Sequence, residues 1–243
     1  WDGGVSTASG VAAWHVGGLF SESCDAEELR DGFLGPWSQL VVGPDERFDL
    51  GLPGDASATV KQVATVFGAD LVGICANDDR WLYSERYARR ANEGRPLGLD
   101  EDLDNVIVVG QAMDHDLVDT VPSALSGAAT GLGYSKDVMV LLATAQWLRN
   151  LGYRAVPSLN DTALAIPLAI QAGLGEYGRH GLVITPEFGP RVRFGKIFTD
   201  APLHHDSPSQ FGVTESCESS RRSTQVCPPR AHTAGSPATA KST

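Results

Sequence analysis

Apolar positions are irregular over residues 1–58, where Gly, Pro, Asp and Ser dominate, and become periodic from about Ala58. The first stretch therefore reads as irregular, partly wrapping structure. Val60, Val63, Ala64 and Phe67 then fall at helical spacing, with Gly68 at the place of a helix-ending glycine. Asp70 to Cys75 and Asn105 to Gly110 are short apolar runs, β-branched in the second case, as expected of strands buried on both faces. Ser135 opens an amphipathic pattern (Val138, Leu141, Leu142, Ala145, Leu148) that Gly152 closes. Arg154 to Pro157 predicts a strand. Asn160-Asp161-Thr162 offers capping groups for a helix over Ala163–Ala172, and strands follow at Gly181–Thr185 and Val192–Phe198. Helices alternating with short buried strands predict an α/β domain over 59–206. From Ser207 the chain turns to Ser, Thr, Pro and Arg with almost no large aliphatic residues, and its last stretch, Ala231 to Thr243, reads as a disordered tail.

Composition narrows the function classes. The 243 residues carry 19 Lys and Arg against 30 Asp and Glu, a net charge of −11, whereas a nucleic-acid binder needs a basic footprint. No apolar run approaches the roughly 18 residues of a membrane span; the longest, Ala163 to Leu174, is broken by Pro167 and Gln171. Four cysteines are too few for a disulfide scaffold of this size. The chain begins at Trp1, which fits a processed form or a fragment.

Several local signals carry little chemistry. Gly173-Leu-Gly175-Glu-Tyr-Gly178 has the letters of a dinucleotide fingerprint, but that motif must follow a strand and open a helix, and here the predicted order is reversed. His204-His205-Asp206 lacks a spaced third metal ligand and reads as a solvated loop. Cys24 and Cys75 read as small buried side chains.

Cys217-x2-Ser220-x2-Ser223-x3-Cys227-Pro228 is more informative. With cysteine at both serine positions it would be the run that holds iron–sulfur clusters in bacterial ferredoxins. Serine is a harder donor and a poor ligand for cluster iron. A cluster remnant and a chance pair of cysteines in a polar tail stay open on this stretch alone.

Longer blocks carry a resemblance. Met113–Asp116, Pro122–Ser135, Leu151–Thr162, Gly173–Arg193 (with Thr185-Pro-Glu-Phe-Gly-Pro-Arg191), Lys196–Leu203 and Phe211–Glu215 resemble, in order, those of corrinoid-dependent reductive dehalogenases. The likeness runs from about Ala69 to Pro228, and the queuosine-precursor reductases share its general layout. It implies a nitroreductase-like cobalamin-binding domain followed by the remnant of a ferredoxin-like segment over 207–243. It further implies cobalamin and [4Fe–4S] clusters as cofactors, a small organohalide as substrate, an external low-potential electron donor, and a possible membrane anchor subunit. Exported, membrane-associated members and cytoplasmic ones both exist, so the resemblance leaves location open.

The same resemblance implies Tyr134 as proton donor, Arg193 as the group stabilising its phenolate and the departing halide, and Asn160 as an orienting donor, each at a loop or element end. Cofactor contacts fall on Gly175, Gly178, Arg179, His180, Gly181, Thr185, Pro190 and Arg191, mostly through backbone, with no histidine ligand to cobalt. Cys217 and Cys227 are the matching cluster positions. Two readings follow: a dehalogenating enzyme, or a catalytically silent corrinoid-binding module that has lost its iron–sulfur relay.

Overall fold

The structure, a computed structural model, describes residues 43–88, 93–97, 99, 101–160 and 162–219. Cys24, Asp161, Ser220, Ser223, Cys227 and the tail from Ala231 lie outside the described residues, as does the side chain of Cys217.

A mixed α/β architecture is built on one four-stranded antiparallel sheet. Its strands are β1 (Leu71–Ala76), β4 (Asn105–Ala112), β5 (Ala155–Ser158) and β8 (Val192–Thr199), in the order β1-β4-β8-β5. β2 (Glu85–Ala88) and β3 (Glu93–Pro96) form one side hairpin, β6 (Glu176–Tyr177) and β7 (Val183–Ile184) another. The central strand β4 is buried on both faces, which explains why it reads as a continuous apolar run. Alternate side chains go to opposite layers. Ile107, Val109 and Ile197 pack under α1 (Pro53–Val66) and α3 (Ala124–Asn150). Val106, Val108 and Phe198 pack under α4 (Ala165–Gln171). Two short helices, α2 (His115–Val118) and α5 (Val213–Ser219), and a single 3-10 turn at Asp79–Trp81 complete the described elements.

Differences from the sequence reading have physical causes. α1 begins at Pro53 rather than near Ala58, with the proline in the first turn, where its missing N–H costs nothing. Gly68 does end that helix, at φ 108°. α3 begins at Ala124, not Ser135: Ser123 Oγ caps it, accepting from the amides of Leu125 at 3.2 Å and Ser126 at 3.3 Å. Gly127, Gly131 and Gly133 weaken helix propensity in its first turns and hide that start in the sequence. Tyr134 is consequently a mid-helix residue, whereas Asn160 in a loop and Arg193 at the start of β8 occupy the loop or element-end settings expected of all three. Leu164, not the Asn160–Thr162 turn, precedes α4, and it makes no side-chain cap. The expected strand over 181–185 is only the two-residue β7.

Segment 204–206 is a loop with His204 and His205 exposed, as expected, and it is also tethered. Asp206 pairs with Lys61 at 2.5 Å and accepts the Ile74 amide at 2.8 Å, and His205 Nε2 meets Asn105 Oδ1 at 2.7 Å. No three metal-ligating side chains gather among the described residues. Cys75 is buried, and burial pushes its thiol up to about 12. Among the described residues no helix is long and apolar enough to cross a membrane.

Candidate active site

The site forms where α3 crosses the end of the sheet. β4 and β8 pair Gln111 with Arg193, and the ladder continues with Met113 N–H donating to Arg191 O at 2.9 Å. Arg191 returns the contact, its guanidinium donating to Met113 O at 2.7 Å. α3 lies so close above β8 that a Cβ on Gly133 would come within 2.8 Å of Arg193 Cδ. The glycine gives the arginine side chain its passage between helix and strand.

Tyr134, Asn160 and Arg193 meet there. Asn160 Nδ2 donates to Tyr134 OH at 2.7 Å, and Arg193 Cζ stands 3.4 Å from the centroid of the Tyr134 ring. A guanidinium on an aromatic face at that distance is held by the ring's quadrupole. Burial lowers the pKa of Arg193, while Tyr134 and Asp137 favour its cation. Its Nε is buried without a hydrogen-bond partner.

Two residues of the site escape the sequence reading. Lys196 is fully buried, and its ammonium donates to Leu159 O and, at 3.1 Å, to Ala163 O. These carbonyls flank the turn that presents Asn160, so a strand lysine fixes the loop that orients the tyrosine. Asp137 is the other, one helical turn from Tyr134, where burial raises its carboxyl to about 8 against the pull of Arg193 and Lys196. A charged residue inside an apolar strand or on the apolar face of a helix is the signal that would have found both. One turn before Tyr134, at Thr130, opens a cavity of about 610 Å³ lined by Met113, Val118, Val121, Pro122 and Gly127 among others.

The expected cofactor residues lie in two small hairpins. A Cβ on Gly175 would meet Ile184 O at 2.4 Å, and one on Gly178 the His180 ring at 2.5 Å. These glycines let the hairpin pack closely on itself. Gly181, at φ 90°, is open, with only Tyr177 OH at 3.8 Å from such a Cβ. Tyr177 and Leu182 beside it are 56% and 49% exposed. His180 Nδ1 accepts the Leu182 amide at 3.2 Å, and Arg179 is half-buried. Thr185 and Gly189 exchange backbone hydrogen bonds, Thr185 Oγ1 accepts the Phe188 amide at 3.1 Å, and Pro190 stands exposed at the return into β8.

α5, which carries Cys217, is anchored to this region by Glu176. The carboxylate accepts the amides of Phe211, of Gly212 at 2.9 Å and of Val213 at 3.2 Å. No expectation from sequence had given Glu176 this part.

Comparison with known proteins agrees with this layout. Residues 102–203 match the family model of the reductive dehalogenase subunit. The chain belongs to the reductive dehalogenase family. It is 36% identical over 220 residues to a tetrachloroethene reductive dehalogenase of Sulfurospirillum multivorans, covering 80% of this chain and 44% of that protein. A tetrachloroethene reductive dehalogenase of Dehalobacter restrictus is 37% identical over 211 residues, covering 73% of this chain and 38% of the relative. The chain thus spans less than half the length of these curated relatives. Among solved structures, a catabolic reductive dehalogenase in complex with 3-bromo-4-hydroxybenzoic acid superposes with a TM-score of 0.64 at 25% identity, over 76% of this chain and 28% of that one.

Proposed function

We propose that this chain is the cobalamin-binding, nitroreductase-like part of a reductive dehalogenase that replaces halogen by hydrogen on a small organohalide. The observation that carries the reading is the meeting of Tyr134, Asn160 and Arg193, with a 2.7 Å hydrogen bond on the phenol and a guanidinium 3.4 Å from its ring centroid. The largely apolar cavity one turn away suits a small organohalide. When bound, the corrinoid supplies the low-potential cobalt centre at which the carbon–halogen bond is reduced.

The exposed Tyr177 and Leu182 beside the open turn at Gly181 fit a large, flat, partly apolar partner. Arg179, His180, Thr185, Pro190 and Arg191 surround that place, while Gly175 and Gly178 hold the hairpin in shape. His180, whose Nδ1 accepts the Leu182 amide, is read as a loop residue beside the cofactor rather than as a cobalt ligand.

The net change takes two electrons from an external low-potential donor and one proton, and releases halide. Tyr134 gives the proton to carbon through its O–H and is left as phenolate. A phenol with an ordinary pKa near 10 needs help to do so. Asn160 donates to the oxygen, and Arg193, cationic throughout, lowers the cost of the negative charge. Glu176 holds the helix of Cys217 against the cofactor hairpin, which suits a ferredoxin-like segment delivering electrons.

Serine at 220 and 223 favours a second reading, a corrinoid-binding module without turnover. Loading the chain with cobalamin, removing free cofactor by gel filtration and supplying an artificial low-potential reductant with a halogenated alkene separates the two. Retained corrinoid absorbance with halide release is the expected result. Retention without release supports the module, and no retention overturns both readings.

A further inference from the structure

Asp137 is a buried acid that the proposed proton donation does not use, and its charge acts on Arg193, the group that donation depends on. α3 and β8 cross through two glycines in reciprocal positions. Gly133 of the helix clears the side chain of Arg193, and Gly195 of the strand clears those of Leu141, whose Cδ1 would lie 2.5 Å from a Cβ there, and of Asp137, whose Oδ1 would lie 3.1 Å from it. Arg193 and Asp137 thus fill adjacent slots of one helix–strand contact. Both reach it incompletely satisfied, since Asp137 Oδ1 and Arg193 Nε are buried without hydrogen-bond partners. The same guanidinium lies on the Tyr134 ring, one turn of helix from Asp137.

From this geometry we propose that Asp137 is a positioning residue for the Tyr134 proton, acting through Arg193: protonated, it leaves the guanidinium charge to the phenol, and ionised, it takes that charge up. The inference rests on the reading of Tyr134 as proton donor. The phenolate and the carboxylate are the two anions within reach of Arg193, and a low-dielectric site makes their competition strong. The charged groups acting on Asp137 are Arg193 and Lys196, both from β8; among the described residues none from α1, β4 or β5 acts on it. Lys196 acts on Asp137 while its ammonium donates to the carbonyls of Leu159 and Ala163, and Arg193 is the cation coupled to both Tyr134 and Asp137. Burial holds the carboxyl protonated up to about pH 8, so at neutral pH Arg193 serves the tyrosine.

The experiment follows the Tyr134 Cζ resonance of the full chain labelled at tyrosine Cζ with carbon-13, assigned by its absence in Tyr134→Phe, from pH 6 to 12. In the wild type the resonance is expected to move in two steps, a small one as Asp137 ionises and a large one as the phenol does. Asp137→Asn is expected to remove the first step and lower the phenol pKa by about one unit, a tenfold gain in acidity. A single step in the wild type overturns the proposal even if the variant fails to fold. A folded Asp137→Asn with an unchanged Tyr134 titration overturns it equally. The measurement needs neither cobalamin nor organohalide, so a two-step titration without halide release condemns the enzyme reading alone. Release with a single-step titration condemns only the coupling.

Discussion

The end of the sheet at Tyr134 and the hairpins over 173–191, which run between Asn160 and Arg193 in the chain, are built by opposite means. At the first, side chains from a long helix, a central strand and a lysine-clamped loop are locked against one another, with Asp137, Lys196 and Arg193 Nε buried and Asn160 exposed. At the second, strands of two residues are held by backbone bonds and by glycines that let one turn press on the next, while Tyr177 and Leu182 face outward. Precise side-chain chemistry needs the rigidity of the first. A partner gripped mainly through surface and main chain needs only the shape of the second.

That contrast can be broken at each end. Gly175→Ala is expected to have the largest effect, because the new methyl meets the backbone oxygen of Ile184 at 2.4 Å and neither side is a flexible side chain. A loss of about 3 kcal/mol, measured by urea denaturation, should accompany loss of corrinoid retention with the Tyr134–Asn160 contact intact. Lys196→Met leaves the carbonyls of Leu159 and Ala163 unpaired and should cost about 2–3 kcal/mol. It should also loosen the turn of Asn160, seen as faster amide exchange at residues 159–163, without affecting the hairpins.

Asp137→Asn tests the buried acid by its pH dependence. The folded chain holds the Asp137 proton up to about pH 8, whereas the unfolded chain releases it near the ordinary value of 3.8. Wild-type stability should therefore fall relative to the variant as pH rises from about 4 to about 8, by roughly 1.4 kcal/mol per unit, and level off above. Parallel stability curves across that range would show that the carboxyl is not held protonated. Asn160→Ala, at an exposed position, should cost about 1 kcal/mol or less in stability and lower halide release about tenfold.

The sequence made the buried strands legible because β4 sits between two helical layers, which favours a continuous apolar run, and most of β8 is buried beside it. It hid the first turns of α3, since Gly127, Gly131 and Gly133, the last of which admits Arg193 beside the helix, are residues that argue against helix. Asn160 looked like a capping group because nothing local announces that its amide is spent on Tyr134. Tyr134, Asn160 and Arg193 were named only through family motifs; their meeting depends on the β4–β8 register and on the crossing of α3, neither of which is local. Lys196 and Asp137 were visible as charges in apolar runs. Their partners are backbone carbonyls and a cation brought in by the fold, and no spacing rule points to those.

The account stands most directly on Tyr134 as the proton source. Halide release by wild type and Tyr134→Phe should be compared at equal cobalamin occupancy, with the same artificial reductant and organohalide. Loss of the phenolic proton should lower the rate at least about a hundredfold while corrinoid retention is unchanged. Wild-type rates in Tyr134→Phe would contradict the account.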